Sequence, residues 1–296
     1  MKLIKKLQKA LVQPALILAK VKPLGGQAII EGVMIKATDN VSMAVRLPTG
    51  KIKTKKTKQK ALTQRYKVLN VPFIRGVINI LEMFVIGVHA LTWSANQQGE
   101  DEQLGPLEWF FTFAMAILLT IGLFIILPYY AAKLVFSPET ILFGLFDGLL
   151  RLIVFVLYLW GISFMKDVQR LFEYHGAEHM AVHCYEHNQK LSVANVKQFP
   201  PEHPRCGTSL LLFVVGVSII LFSIVRTPHW YFNLSARILL IPVVMGISFE
   251  LLKLSARFNC MKWLTFPGIW TQKITTKQPA ADQIEVAISA VNLAKR

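Results

Sequence analysis

The stretch "YHGAEHMAVHCYEH", residues 174–187, sets His175, His179, His183 and His187 at steps of four, with Glu178 and Glu186 each directly before a histidine. The whole chain holds seven histidines, so four within thirteen positions is a concentration that asks for a chemical cause. On an α-helix a four-residue step turns the azimuth by about 40°, so His175 and His179 share a face one turn apart and can grip one metal ion. "HGAEH" is His-x-x-Glu-His, the inverted form of the zinc-helix motif, and Glu178 is placed to act as general base toward a water. The face drifts by about 120° over the ladder, so the four imidazoles cannot all converge on one ion. His183, Glu186 and His187 are therefore expected as decoration of a solvated helix face, a plain explanation that also competes for the first copy.

"EHPRCGTS", residues 202–209, adds His203 and Cys206 as ligand types suited to a borderline metal, and Arg205 as a cation able to steady an anionic substrate or developing negative charge. Glu31 in "AIIEGVMI" is flanked by apolar residues, and a carboxylate buried there must pair or bind a cation. The expected site is a divalent metal, zinc by these ligand types, on His175 and His179, with the third ligand open between His203, Cys206 and Glu31. Glu250 has Lys253 three residues on as a local partner, and Asp147 and Arg151, four apart, are expected to pair with one another. His89 and His229 are isolated and suggest no chemistry.

The elements that must hold these groups are mostly apolar helices. The chain is 53% hydrophobic with a mean hydropathy of +0.45, yet carries 33 basic against 17 acidic residues, a net +16. That combination points to a membrane protein with basic loops on the anionic cytoplasmic leaflet. Nucleic acid is not an expected partner, because the lysines lack interleaved aromatics. Three cysteines imply no disulfide framework. Segments at 108–134, 141–165, 208–226 and 236–254 are long enough to cross a bilayer, which takes about 20 residues.

Residues 51–67 hold eight basic residues and no acid, and 255–296 hold six against two, so both are expected inside. Counting spans back from the end puts 166–207 and 94–107 inside as well, which makes 71–93 a re-entrant or interfacial helix. The fold expected is mainly α: about four transmembrane helices, that extra helix, and a small β-hairpin around the Pro48-Thr49-Gly50 turn. The organisation expected is a basic amphipathic helix over 1–23, a β-containing cytoplasmic element over 24–70, a membrane domain over 71–265 with the His-rich segment 166–207, and a basic tail over 266–296.

Taken in order, "GGQAIIEGVMIK", "YHGAEH", "HPRCGTS" and "GISFEL" resemble the YqhQ family of bacterial multi-pass membrane proteins, over about residues 24–265. The resemblance implies a bacterial cytoplasmic-membrane protein of uncharacterised activity, described as a predicted metal-dependent enzyme. It carries over Gly26, Gln27, Glu31 and Gly32, then His175, Glu178 and His179, then His203, Arg205, Cys206 and Gly207; His187 lies outside the family pattern. Two functions are expected from different classes. One is a metal-dependent hydrolase, with Glu178 and Arg205 catalytic, acting on a lipid-linked or membrane-peptide substrate. The other is a non-catalytic membrane factor binding anionic lipid or an envelope or translocation partner protein.

Overall fold

The computed structural model describes residues 24–99, 105–225, 227 and 229–295. The amphipathic helix expected over 1–23 lies outside these residues. Four strands, β1 (Gly25–Ile29), β2 (Gly32–Lys36), β3 (Asn40–Arg46) and β4 (Ile52–Lys58), form an antiparallel sheet in sequence order. The expected hairpin is its β3–β4 half, closed where Gly50 takes φ +80°. The β1–β2 half is an addition to that expectation. Its two-residue turn, Ile30-Glu31, puts Glu31 at φ 52° without an Asn-Gly type signature to announce it.

Among the described residues, twelve α-helices, a π-helical turn and two short 3-10 helices (Lys67–Leu69 and Asn259–Thr265) carry the rest: α1 (Leu62–Arg65), α2 (Ile74–Ala95), α3 (Pro106–Ile121) running through the π-helical turn (Gly122–Ile126) into α4 (Leu127–Lys133), α5 (Ile141–Ile162), α6 (Lys166–Glu186), α7 (Val193–Val196), α8 (Gly207–Ile224), α9 (Trp230–Leu239), α10 (Ile241–Arg257), α11 (Phe266–Thr275) and α12 (Ala281–Lys295). The π turn lies just before Pro128, whose missing N–H leaves a carbonyl one turn back without its helical donor.

The pleat sends Ala28, Val33, Ile35 and Ala44 to one side of the sheet and Ile29, Met34, Met43 and Val45 to the other. The first side packs on Tyr174, Ala177, Met180 and Ala181 of α6 and on Ile284, Ala287 and Val291 of α12. The second packs on Ile86 and Ala90 of α2. Residues 266–296, expected as a basic tail, thus contribute a core helix: apolar positions 284, 287, 290, 291 and 294 recur at helical spacing and are buried.

Four helices are long and apolar enough to cross a membrane: α2, the α3–α4 run from Phe110 to Lys133, α5 and α8. The expected last span, 236–254, falls on α9 and α10, which are long and apolar enough to cross only when taken together and are bent by 45° at their junction, with Pro242 at the start of α10. The segment expected to be re-entrant or interfacial is one uninterrupted helix, α2, with no break to turn it back. Its middle carries the polar 59–65 loop: Leu62 N–H donates to Glu82 Oε2 and Thr63 to Asn79. Helices approach closely at glycines, Gly76 of α2 against Gly246, and Gly144 and Gly148 of α5 against Ser223 and Ile219 of α8. Glu250 pairs with Arg75 of α2, at 2.5 and 2.6 Å, in place of the expected Lys253.

Candidate metal centre

Helix α6 supplies the histidines, and two neighbouring segments fold against it to aim them. Residues 275–277 run along α6 so closely that a Cβ on Gly176 would meet the Lys277 carbonyl at 2.1 Å. That approach delivers the Thr275 carbonyl to His175 Nδ1, at 2.9 Å. The loop 197–206 lies on the next turns, where the Pro201 carbonyl meets His179 Nδ1 at 2.6 Å. A carbonyl only accepts, so both Nδ1 atoms carry the proton and both Nε2 atoms present a lone pair.

Cys206 completes the group. It is the N-cap of α8 and its Sγ accepts from Thr208 N–H. His175 Nε2 lies 3.2 Å from that sulfur, and the ligand atoms of His175, His179 and Cys206 all lie within 4.8 Å of one another. Metal-ligating histidines characteristically donate their second ring N–H to a carbonyl or carboxylate, as both do here. Of the three open candidates for third ligand, the geometry brings Cys206 to the pair.

Glu178 sits beside this group, its Oε2 3.6 Å from His179 Nε2, at 4% exposure. No hydrogen bond from the described residues reaches its carboxylate, and Gly26 packs against it with no room for a Cβ, which would lie 2.2 Å from Oε1. Burial pushes the Glu178 carboxyl up to about 8, the His175 charge opposing and Cys206 adding to the rise. His179 is held down to about 4, first by burial and then by its histidine neighbour His175. The Cys206 thiol is pushed up by burial, but hydrogen bonding and charge from His179, with the Thr208 contacts, outweigh this and set it below an ordinary thiol.

The remaining expected site residues stand elsewhere. Glu31 is not a ligand in this arrangement: its carboxylate pairs with Arg170 and accepts from Tyr174, on the first half of α6. His203 joins His183 and Glu186 in a second group. The second His-x-x-Glu-His is thereby corrected from surface decoration to a buried network, because the 197–206 loop covers that end of the helix; Glu186 is 5% and His203 4% exposed. His187 is exposed.

In this second group His203 Nδ1 accepts from Arg205 N–H, which puts the ring proton on Nε2, facing Glu186 Oε2 at 3.4 Å. The other Glu186 oxygen takes the Arg205 guanidinium. Arg205 is therefore already this network's cation and fastens the Cys206 loop to α6. The guanidinium expected to steady a substrate is thus engaged by Glu186 in this arrangement. Gln272, wholly buried, accepts from His203 N–H and donates to His203 O, at 2.7 and 2.9 Å. Nothing in the sequence singled out Gln272, Thr275 or Pro201, since two of the three act through backbone carbonyls.

Stability of chelator-treated protein should depend on pH in two directions. His179, His183 and His203 are each lowered to about 4 from 6.5, chiefly by burial, so their contribution is full above 6.5 and lost as pH falls toward 4. Glu178 is raised from 4.5 to about 8, so its contribution is full below 4.5 and lost as pH rises toward 8. Thermal midpoints of chelated protein are expected to peak near pH 6.5, where the histidine loss has not begun. A metal ion held by these groups would flatten the alkaline limb. A midpoint that climbs steadily from 6.5 to 8 without metal would contradict this assignment.

No solved structure matches the chain. "Uncharacterized protein YqhQ" of Bacillus subtilis (strain 168) is 34% identical over 295 residues, covering 92% of each chain. The sequence profile described as "Protein of unknown function (DUF1385)" matches residues 71–296, a stretch that contains both histidine groups, Cys206 and the Gln272 clamp. On that match and that identity, the chain belongs to the DUF1385 family, the family of YqhQ.

Proposed function

We propose that the chain is an integral membrane hydrolase dependent on one divalent ion, zinc by the donor set, held by His175, His179 and Cys206 at the cytoplasmic face. The observation that carries this is the convergence of two Nε2 lone pairs and a thiol beside Glu178, a buried carboxylate without a hydrogen-bonding partner among the described residues. Thiol, imidazoles and carboxylate all favour a cation at their centre, and none is supplied there by a described side chain. Three protein ligands leave a fourth position for substrate or water, the pattern of catalytic zinc. A bound divalent ion would supply Lewis-acid polarisation of a carbonyl or phosphoryl oxygen. Beside the charge of such an ion Glu178 is drawn back to its ionised form, against the burial that raises it. The carboxylate then takes a proton from the attacking water and returns it to the leaving group, while Gly26 holds the carboxylate in place and Arg205 fixes the loop that carries Cys206.

The membrane setting is supported by surface chemistry. α3 and α5 leave Phe110, Phe111, Leu118, Leu119, Leu145 and Leu157 exposed, more apolar surface than water tolerates. α2 fits the interface: the sheet and the basic 59–67 loop cover one side along its length, while Leu81, Phe84 and Val85 are exposed on another. Four spans then follow, with both ends of the chain and the metal group on the side of the basic segments, the cytoplasmic face of a bacterial membrane. Substrates reaching a site at that depth are lipid-linked or membrane peptides, and the Lys-rich β4 edge suits anionic lipid.

One observation favours a second reading. His179 and Cys206 are 3% and 7% exposed, as in a closed structural brace, which suits a non-catalytic factor binding lipid or an envelope or translocation partner. The two are separated by incubating metal-loaded protein with a total bacterial lipid and membrane-peptide extract. The hydrolase should convert a component into fragments whose masses sum to the parent plus one water, and Glu178→Gln should retain the ion but lose all turnover. An extract unchanged by metal-loaded wild type leaves the brace.

A further inference from the structure

A cluster of three buried charges on α5 and α9 lies far from the metal centre. Asp147 and Arg151 of α5 pair as expected, at 3.1 Å, but Arg237 of α9 joins them, its Nη1 2.9 Å from the same Asp147 oxygen. All three are buried, at 1%, 6% and 2% exposure, so two guanidiniums share one carboxylate and the cluster is net +1. Aromatic faces surround the excess charge: the Arg237 guanidinium lies 4.8 Å from the Tyr129 ring and 5.5 Å from Phe222, and Arg151 lies 5.0 Å from Phe222. Ser218 of α8 accepts from Arg151 Nη1 at 3.4 Å.

Charge balance is one deficit and hydrogen bonding is a second. Among the described residues six buried side-chain polar atoms have no hydrogen-bond partner, and three of them belong to this cluster: Tyr129 Oη, Arg151 Nε and Arg237 Nη1. Each is a donor. Arg237 Nη1 already faces Asp147 at 2.9 Å, on a carboxylate it shares with Arg151, so its want of an acceptor is partial. The Tyr129 hydroxyl and Arg151 Nε have none, and burying such donors is costly unless an acceptor meets them. The backbone is broken at the same place, by the 45° bend just after Arg237 and the π turn just before Tyr129. Such breaks and buried charges mark binding sites in membrane helices.

We propose that Tyr129, Arg151 and Arg237 form a binding site for a small anion within the helical bundle. The site is separate from the metal centre and does not depend on it: Ser218 and Phe222 lie 12 and 16 residues beyond Cys206 along the α8 axis, about 18 and 24 Å away. In the four-span arrangement this is the half of the bundle facing away from the cytoplasm. The donors offered, one hydroxyl and two guanidiniums, suit a halide or a phosphate oxygen set. An inorganic ion and a lipid phosphate share that chemistry.

The experiment is thermal unfolding of the full chain in zwitterionic detergent, with gluconate replaced by chloride at constant ionic strength, beside Tyr129→Phe. Chloride should raise the wild-type midpoint by roughly 3–6 °C, and Tyr129→Phe should lose at least half of that gain. Repeating the measurement in phosphatidylcholine nanodiscs with and without phosphatidylglycerol distinguishes the source. A rise that only phosphatidylglycerol gives, and that Tyr129→Phe loses, supports the site with a lipid phosphate as its ligand. If neither anion shifts the midpoint, or Tyr129→Phe keeps the whole shift, the cluster is a helix tie and the proposal is overturned. In gluconate Tyr129→Phe should be no less stable than wild type, because it deletes an unpartnered hydroxyl.

Discussion

Arg205→Met is expected to destabilise the protein by about 1–3 kcal/mol, the cost of leaving the buried Glu186 carboxylate without its cation, discounted because the guanidinium itself is 34% exposed and solvent screens the pair. Glu186 would keep a buried negative charge with only His203 beside it, at 3.4 Å. The loss should reach the metal group as well, since Arg205 adjoins Cys206 and fastens its loop, and metal affinity is expected to fall 10–100-fold, as for lost supporting contacts elsewhere. Unfolding in detergent and competition with a chelator measure the two effects. Pairing the change with Glu186→Gln should recover much of the stability, because the orphaned charge is gone. A loss under 1 kcal/mol would mean that the pair is solvated and does not position the loop.

Gly26→Ala is expected to displace Glu178. The added Cβ would stand 2.2, 2.5 and 2.7 Å from Oε1, Cδ and Cγ of that buried side chain, so the carboxylate must shift. Overpacking of this kind costs about 1–3 kcal/mol. Gly25→Ala, where nothing lies within 4 Å, is the control and should be near neutral. Shortening the carboxylate with Glu178→Asp in the Gly26→Ala background should restore part of the stability. Equal stability of the two alanine variants would place Gly26 away from any strained contact and remove its role in holding the carboxylate.

How much of this was legible in the sequence depends on how local each feature is. The His175–His179 pair and its glutamate are fixed by helical spacing alone, and the Asp147–Arg151 pair likewise. Cys206 was one of three open ligands, because its approach depends on how the 197–206 loop folds over α6, a contact across 27 or more residues. The same loop converts Glu186 from an apparent surface acid into a buried one. The supporting carbonyls of Thr275 and Pro201 carry no residue-type signature. Arg237 was silent for a related reason: in "LSARIL" it reads as one basic residue near a span, and its partner Asp147 is 90 positions away. The tail was misread by its charge, although Ile284, Ala287 and Val291 already carried the spacing of a buried helix face.

The central claim, three convergent ligands on one ion, is tested most directly by loading the detergent-purified, chelator-stripped chain with Co²⁺ and recording its absorption spectrum. A thiolate-to-cobalt charge-transfer band in the near ultraviolet, with intense visible bands of a four-coordinate ion, saturating at about one ion per chain, is the predicted result. Cys206→Ser should lose the charge-transfer band while keeping weaker binding, and His175→Ala and His179→Ala should lose the ion. A spectrum without the thiolate band, or one unchanged by Cys206→Ser, would contradict the assignment and leave the histidine ladder as a hydrogen-bonded brace between α6 and its loop.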